Sequence, residues 1–357
     1  MAAPPPSGGQ QQQQRQPPQL SPPPRTNPAD WMDEPWPSPE RLAAATSTHR
    51  QGAFTISSRK LPISKAGPIE ALERDVGIPV PEMIFGDNLV GVAHAPTGWR
   101  VEFNARDALD AVGKTGDNML RVAYAGAWSA SREQTSAGIR EVVRPFDWSY
   151  STAYKGTVSV PGAAATAGKE KGEGGGADGA EDTITTTTTT AAAAAAAAAA
   201  DDDDDAAAEE TEEEGKRFRF APTREPIPIE LLKRRDPIRF FDDVVLYESE
   251  LDDNGISILS AKFRVHDERM LLLCRLYMRL DNVVCRIRDT RIYVDFPAET
   301  VTREYTAKEA SFADVKQKLL MSGLRPDGIT IALRDANRIA EILPIVEQTL
   351  ESVSLAS

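Results

Sequence analysis

The strongest constraint on the fold is the segment from Leu271 to Arg288, in which apolar and charged residues alternate on either side of Asp281 and Asn282. Alternation with a period of two is typical of β-strands, because successive side chains point to opposite faces. Asp and Asn favour tight turns, so the segment is predicted to be a β-hairpin with a two-residue loop. Such a loop places Met278 opposite Cys285.

This predicted register sorts the hairpin side chains onto two faces. One face is apolar and is expected to pack in the core; it carries Cys274, Leu276, Met278, Leu280, Val283, Cys285 and Ile287. The other face is basic and carries Arg275, Tyr277, Arg279, Val284, Arg286 and Arg288. Its guanidinium groups could bind carboxylates or phosphates. The equally good alternative is an ordinary charged face turned to solvent.

Similar alternation elsewhere predicts strands over residues 89–94, 99–103, 238–247 and 259–265. Helical spacing of apolar residues predicts a helix over Ile69–Val76, and Asn104 is suited to cap a second helix. Ser311–Asp314 resembles a capping box that opens a third helix. We expect Ala336–Val353 to form a final helix, interrupted at Pro344. The fold class predicted from these elements is α+β, a largely antiparallel sheet with flanking helices.

Two segments have compositions that do not support a packed core. Residues 1–53 contain proline clusters and a glutamine run, and residues 161–215 contain Gly, Thr and Ala runs followed by five aspartates. Both are predicted to be disordered. Residues 54–160 and 216–357 are accordingly expected to be two parts of one domain, separated by the insertion. In the tail, Trp31 and Trp36 form either a docking motif or an incidental apolar pair.

The formal charge of the chain, -13, arises in the insertion. Between Lys169 and Gly215, fifteen acidic residues oppose two lysines, so this segment accounts for the whole excess. Like charges keep a linker extended and do not by themselves make a binding surface. The rest of the chain is close to neutral, which argues against a nucleic-acid-binding domain, since such domains usually carry a basic excess.

The cysteines and the amino terminus indicate the compartment. In the predicted hairpin Cys274 and Cys285 are separated by roughly 13 Å, at about 3.3 Å per residue, which is too far for a disulfide. Two buried, reduced thiols are expected in a cytosolic or nuclear protein. The amino terminus has no apolar signal-peptide core, and no window of about 18 apolar residues occurs without counting alanines. We therefore expect neither secretion nor a membrane span.

No catalytic constellation emerges from the sequence, and no cofactor is predicted. The spacing of a dinucleotide-binding loop is matched by Gly174, Gly176 and Gly179, but without the required strand and apolar helix. Paired carboxylates at Asp242–Asp243 and Asp252–Asp253 fit either a metal-dependent enzyme or exposed strand and turn charges. No metal-ligand spacing surrounds His49, His94 or His266.

Five stretches carry a family resemblance. They are IEALERDVGIPVPEMIFGDN at 69–88, GWRVEFNARDALD at 98–110, VVRPFDWSYSTAYKGT at 142–157, residues 240–293 with LDDNGISILSAKFRV and RIRDTRIY, and REYT at 303–306. Together they cover most of the two parts predicted to be ordered. The sequence resembles the Tip-forty-one-like (TIPRL) family of TOR-signalling regulators.

The resemblance implies a non-enzymatic α+β protein that binds catalytic subunits of type-2A-like protein phosphatases, alongside the alpha-four (Tap-forty-two) branch of TOR signalling. It implies phosphatase contacts at Asp107, Ile227, Ile287 and Asp289, with Ile229 as a rival for Ile227. Two functions of other classes remain open. One is a metal-dependent enzyme that uses the paired aspartates, and the other is a nucleic-acid-binding module that uses the arginine face.

Asp289 carries the sharpest hypothesis. Strand parity places Ile287 and Asp289 on the apolar face, yet a buried carboxylate is costly unless it is paired or hydrogen-bonded. Either Arg291 or backbone amides satisfy Asp289 internally, or the sheet ends there and both residues emerge at an exposed edge. The resemblance favours the exposed edge, with Asp289 and Arg291 among the partner-binding residues.

Overall fold

The structure, a computed structural model, describes residues 37–112, 150, 152–160, 218–250 and 255–356. In this part of the chain the strands are β1 (Thr46–Gln51), β2 (Phe54–Arg59), β3 (Met83–Ile84), β4 (Leu89–His94), β5 (Arg100–Asn104), β6 (Thr157–Ser159), β7 (Ala221–Pro222), β8 (Phe240–Glu250), β9 (Gly255–Val265), β10 (Arg269–Leu280), β11 (Val284–Asp295), β12 (Thr300–Ser311) and β13 (Ile345–Ser354). The helices are α1 (Pro39–Ala44), α2 (Ala66–Val76), α3 (Ala105–Asp110), α4 (Ile229–Leu232), α5 (Phe312–Met321), α6 (Pro326–Ala332) and α7 (Ala336–Ile342).

The strands form two sheets in which every pair is antiparallel. The first has five strands in the order β1-β2-β4-β5-β6, and the second has eight in the order β3-β8-β9-β10-β11-β12-β13-β7. The predicted α+β class with a largely antiparallel sheet and flanking helices is therefore confirmed.

Buried apolar residues lie in two clusters on opposite faces of the eight-stranded sheet. The larger cluster joins the two sheets and takes residues from both sides of the insertion, for example Phe54 and Trp99 from one side and Phe263 and Leu272 from the other. The smaller cluster lies between one end of the eight-stranded sheet and helices α5, α6 and α7, and it includes Ile287. Alternating strands can bury both faces only because each face has its own partner.

Local signals place the helix ends as the sequence predicts. The side chain of Asn104 accepts a hydrogen bond of 2.8 Å from the backbone N–H of Asp107, which caps α3. Ser311 accepts one of 3.1 Å from the N–H of Asp314 and caps α5. Helix α2 ends at Gly77, whose φ of 72° is left-handed and favours glycine.

Two expectations about element boundaries are wrong. Order begins before residue 54, because β1 pairs along its whole length with β2, from Thr46 opposite Arg59 to Gln51 opposite Phe54. The last helix ends before Pro344, and the residues beyond it form strand β13 instead of a continued helix. Proline disfavours the helical conformation of the residue before it, and β-branched residues such as Ile345 and Val346 then favour a strand.

The hairpin register also differs from the prediction. The loop contains three residues, with Asn282 in the left-handed region at φ 63°, and it places Met278 opposite Arg286 instead of Cys285. A shift of one residue moves every side chain of the second strand to the other face. Arg275 and Arg279 therefore lie on one face and Arg286 and Arg288 on the other, so the single arginine face does not exist.

Several predicted features lie outside the described residues. They are the Trp31 and Trp36 motif, the insertion at 161–215 with its glycine spacing, the whole segment 113–149, and the Asp252–Asp253 pair.

Candidate partner-binding site

The centre of the eight-stranded sheet holds a buried carboxylate between two arginines. Asp289 on β11 is 1% exposed and faces Arg275 on the neighbouring strand β10. Arg275 donates two hydrogen bonds to it, of 2.6 Å from Nε and 2.7 Å from Nη2. Arg291 adds a longer contact of 3.4 Å. A bidentate arginine with a second cation nearby satisfies a buried carboxylate, which would otherwise be costly in the sheet interior.

This ion pair continues in two directions across the sheet. Arg291 contacts Glu304 on β12 at 3.4 Å. Glu304 in turn accepts a hydrogen bond of 2.8 Å from the side-chain amide of Gln348 on β13. On the other side, Nη1 of Arg275 donates to Oδ1 of Asn337 in α7 at 2.9 Å. The network thus links strands β10 to β13 and fixes helix α7 to the sheet.

The exposed edge proposed for Ile287 and Asp289 is wrong. Ile287 is 0% exposed and packs beneath α5, α6 and α7, and both residues lie on an interior strand of the sheet. The alternative, internal satisfaction of Asp289, is the one that the structure contains. Arg291 takes part as expected, but Arg275 makes the shorter contacts and sequence reasoning missed it. The two-residue loop had placed Arg275 opposite Arg288, whereas the three-residue loop places it opposite Asp289.

Asp107 lies at a separate position, in the first turn of α3. Its carboxylate accepts a hydrogen bond of 2.9 Å from the side-chain amide of Asn104 and one of 2.5 Å from the hydroxyl of Thr157 on β6. The same hydroxyl lies 3.1 Å from that of Tyr154, which donates to the carbonyl of Glu102. Burial raises the pKa of Tyr154 far above its usual range, so this hydroxyl stays protonated. Asp107 therefore joins α3 to β6 and remains partly exposed, at 28% of its side chain.

The turn that delivers Thr157 to Asp107 requires a glycine. Gly156 has φ 87°, and a Cβ at this position would lie 2.7 Å from the ring of Phe103. Next to it, the backbone carbonyl of Tyr154 accepts 2.9 Å from the hydroxyl of Thr290, the residue that follows Asp289. The short segment 154–157 thus runs from the Asp107 position to the opposite face of the Asp289 strand.

The remaining predicted contact is Ile227, with Ile229 as the alternative residue. Ile227 is 4% exposed, whereas its rival Ile229, at the start of α4, is 50% exposed. Of the five residues predicted to bind a partner, only Asp107 and Arg291 have partly exposed side chains, each at 28%. The structure brings Ile287, Asp289 and Arg291 together on one strand. It leaves Asp107 on α3 and Ile227 in the loop before α4.

The groups that a metal-dependent enzyme would need are not brought together in the described residues. Asp242 and Asp243 point to opposite faces of β8, and Asp242 accepts hydrogen bonds from Lys60 at 2.5 Å and from Ser58 at 2.7 Å. Within the described ranges no three His, Cys, Asp or Glu side chains are grouped so that they could hold a metal ion.

Both cysteines are free and buried, as predicted. Burial raises the pKa of Cys285 to about 12, and it raises that of Cys274 further, helped by the nearby Asp289 carboxylate. A thiol with a raised pKa is a poor nucleophile, so these cysteines act as small apolar residues.

The arginines of the predicted binding face are paired with other groups. Arg279 donates to Asp281 at 2.7 Å, and Arg286 and Arg288 contact Glu309 at 2.7 and 2.8 Å. Since phosphate binding would require these guanidinium groups to leave their carboxylates, the hairpin offers no preformed basic surface. None of the helices that the structure describes has the length and apolar composition needed to cross a membrane.

The fold and the site together define a two-sheet α+β protein organised around a buried carboxylate–arginine network. Comparison with protein families places it more closely, because residues 83–316 match the model of the TIP41-like family. The chain belongs to this family, as the resemblance of the five stretches predicted.

Individual relatives match most of the chain. "Type 2A phosphatase activator TIP41" of Saccharomyces cerevisiae is 32% identical, over 84% of this chain and 72% of that protein. The TIP41-like protein of Homo sapiens is 30% identical, over 86% of this chain and 90% of the relative. The TIP41-like protein of Dictyostelium discoideum is 32% identical, over 85% and 92% respectively.

Proposed function

We propose that this protein is a non-enzymatic regulator that binds the catalytic subunit of type-2A-like protein phosphatases and modulates their activity or assembly in TOR signalling. The observation that carries the proposal is membership of a family in which a relative similar over 84% of this chain is named a type 2A phosphatase activator. We place the protein in the cytoplasm and nucleus, with the alpha-four regulator as a further partner.

The site geometry supports a binding role. Its ionisable groups are occupied by one another: Arg275 holds Asp289, Arg291 bridges Asp289 and Glu304, and no nucleophile or general base is left free in this network. Such a network holds strands β10 to β13 and helix α7 in a fixed arrangement, so the groups exposed on these elements would lose little conformational freedom on binding. Two partly exposed groups, Arg291 in this network and Asp107 at its separate position on α3, are the ones that a partner could reach.

The test is calorimetric titration of a purified type-2A catalytic subunit with the full chain and with Asp107→Asn, Arg291→Ala and Ile229→Ala. Asp107→Asn leaves the Asn104 cap of α3 in place, keeps an oxygen acceptor for Asn104 and Thr157, and removes the charge. A contact role therefore predicts a binding loss of at least about tenfold with little change in melting temperature. Ile63→Ala is the matched control for Ile229→Ala, because the two side chains are 44% and 50% exposed. Absence of binding by the unaltered chain would overturn the proposed function. Equal effects of the two isoleucine variants would exclude Ile229 from the interface.

A further inference from the structure

Strand β13 leaves part of the eight-stranded sheet with an open edge. It pairs with β12 from Ile345 to Ser354, with a register shift at Val346, which has no partner residue. On its other side, within the part of the chain that the structure describes, β7 covers only Ser352 and Glu351, which lie opposite Ala221 and Pro222. Beyond Thr223 the N–H of Glu225 bonds to the hydroxyl of Thr223, and residues 224–228 make no backbone hydrogen bond to β13. Residues 345–348 are all exposed.

The direction of the free backbone groups follows from the hydrogen bond nearest to them. The carbonyl of Leu350 accepts 3.0 Å from the N–H of Thr223, so Leu350 points its backbone away from β12. Alternate residues of an antiparallel strand share that direction. Gln348 therefore also points its N–H and C=O outward, and among the described residues no backbone group bonds to them.

The side chains at this edge favour strand pairing. Ile345 and Val346 are β-branched and are 54% and 61% exposed. Exposed β-branched residues beside unpaired backbone groups are what an added strand covers. Proteins protect free edges with charge, and the edge carries one exposed carboxylate, Glu347, which makes no ion pair in the part of the chain that the structure describes.

We propose that the edge of β13 over residues 345–349 binds an extended segment of another protein as an added antiparallel strand, with a lysine or arginine opposite Glu347. This inference does not depend on the phosphatase or on the site around Asp289. Backbone hydrogen bonds to Gln348 supply affinity, and the opposite charge across the strands supplies specificity.

A second copy of the chain fits this edge poorly. Symmetric pairing centred on Gln348 would bring Val346 against Leu350, whose carbonyl already bonds to Thr223. Shifting the centre to Glu347 would place the two Glu347 carboxylates directly opposite each other, which is destabilising. A different, basic segment avoids both conflicts.

The experiment uses the full chain and two peptides, acetyl-Thr-Val-Thr-Lys-Thr-Val-amide and the same peptide with Glu in place of Lys. Fluorescence anisotropy measures binding, and amide exchange by NMR reports on the N–H of Gln348. We expect the lysine peptide to bind at least tenfold more tightly and to protect this amide. Glu347→Lys should reverse the preference. Gln348→Pro should abolish binding of both peptides, because proline at an outward-facing edge position removes the donor. The backbone pairing with β12 stays, and the side-chain hydrogen bond from Gln348 to Glu304 is lost.

Four results would overturn the proposal. The first is that the lysine peptide, at millimolar concentration, leaves the Gln348 amide unprotected. The second is that this amide is already protected in the free monomer, which would mean that the chain covers its own edge. The third is a dimer in sedimentation that Gln348→Pro disrupts, which would assign the edge to a second copy. The fourth is that Glu347→Lys, a surface change that leaves the fold intact, fails to alter the preference between the peptides.

Discussion

At the scale of single residues, the centre of the molecule depends on charges that compensate one another inside the sheet. The side chains of Asp289 and Arg275 are 1% and 11% exposed, so they form a buried ion pair and not a surface one. Burying two charges costs several kcal/mol each, and their attraction offsets this only while both are present. The pair is therefore more important for the integrity of the sheet than its net contribution to stability suggests.

We predict that Asp289→Ala destabilises the protein by about 3–5 kcal/mol, because Arg275 then remains buried without its carboxylate. Urea denaturation measures this change. Asp267→Ala is the matched control: Asp267 also binds an arginine through two hydrogen bonds, of 2.5 and 2.9 Å from Arg239, but at an exposed position. Its denaturation midpoint should hardly change. If Asp289→Ala unfolds at the same urea concentration as the unaltered chain, the carboxylate has no structural role.

A double variant separates lost charge from lost packing. Combining Asp289→Leu with Arg275→Met replaces the pair by apolar groups, and we expect it to recover a large part of the lost stability.

At the scale of elements, alternation and caps could be read from the sequence but pairing register could not. The strands around 89–94 and 259–265 and the caps at Asn104 and Ser311 follow from local patterns, because they depend on residues only a few positions apart. The register of β10 and β11 depends on whether the loop has two or three residues, and Asp281-Asn282-Val283 permits both. This difference of one residue in loop length determines that Arg275 faces Asp289. The contact between Asp289 and Arg291 could thus be predicted from the sequence, and the shorter contact between Asp289 and Arg275 could not.

The two sheets are also joined by a histidine whose protonation affects stability. His94 at the end of β4 is 0% exposed, packs against Phe54, and lies 3.6 Å from Glu299 in the turn between β11 and β12. Burial lowers the pKa of His94, an effect that Glu299 only partly opposes. The folded protein therefore binds this proton less readily than the unfolded chain does.

We predict that the free energy of unfolding decreases as the pH falls below about 6.5, the ordinary histidine pKa, and continues to decrease down to the lowered pKa of the folded state. Above that window His94 is neutral in both states and contributes no pH dependence. Urea denaturation between about pH 7.5 and 5.5 measures the slope. His94→Gln should flatten it and His266→Gln should not. An unchanged slope in His94→Gln would assign the pH dependence to other groups.

At the scale of the whole molecule, the core joins segments that are separated by the insertion. Buried residues from before residue 160 and from after residue 218 meet in one cluster, so the two parts cannot bury their apolar surfaces separately. The disorder of the insertion stays a prediction from composition, because runs of Ala, Thr and Asp have no apolar face to pack. Composition did not predict the ordered residues before Phe54, since Thr46–Gln51 is a polar edge strand held by pairing with β2.

We predict that deleting residues 163–213 leaves a single cooperative thermal transition and the proposed phosphatase binding intact. The cost of closing a loop grows only slowly with its length, and the deleted segment carries most of the acidic excess but no apolar periodicity. Differential scanning calorimetry and titration of the deletion variant, beside the full chain, provide the measurements. Two separate transitions, or loss of the transition, would contradict a single domain assembled across the insertion.

The position of β13 in the eight-stranded sheet has a consequence for synthesis. Among the strands that the structure describes, β7 (Ala221–Pro222) has β13 as its only neighbour in that sheet, and β13 begins more than a hundred residues later, at Ile345. Of these strands, therefore, the one that pairs with β7 is made only after β8 to β12, which can form successive hairpins as they leave the ribosome. Pairings between distant segments are formed late because loop closure must come first. Among the described strands, the pairing of β7 with β13 is thus one of the last that synthesis makes possible.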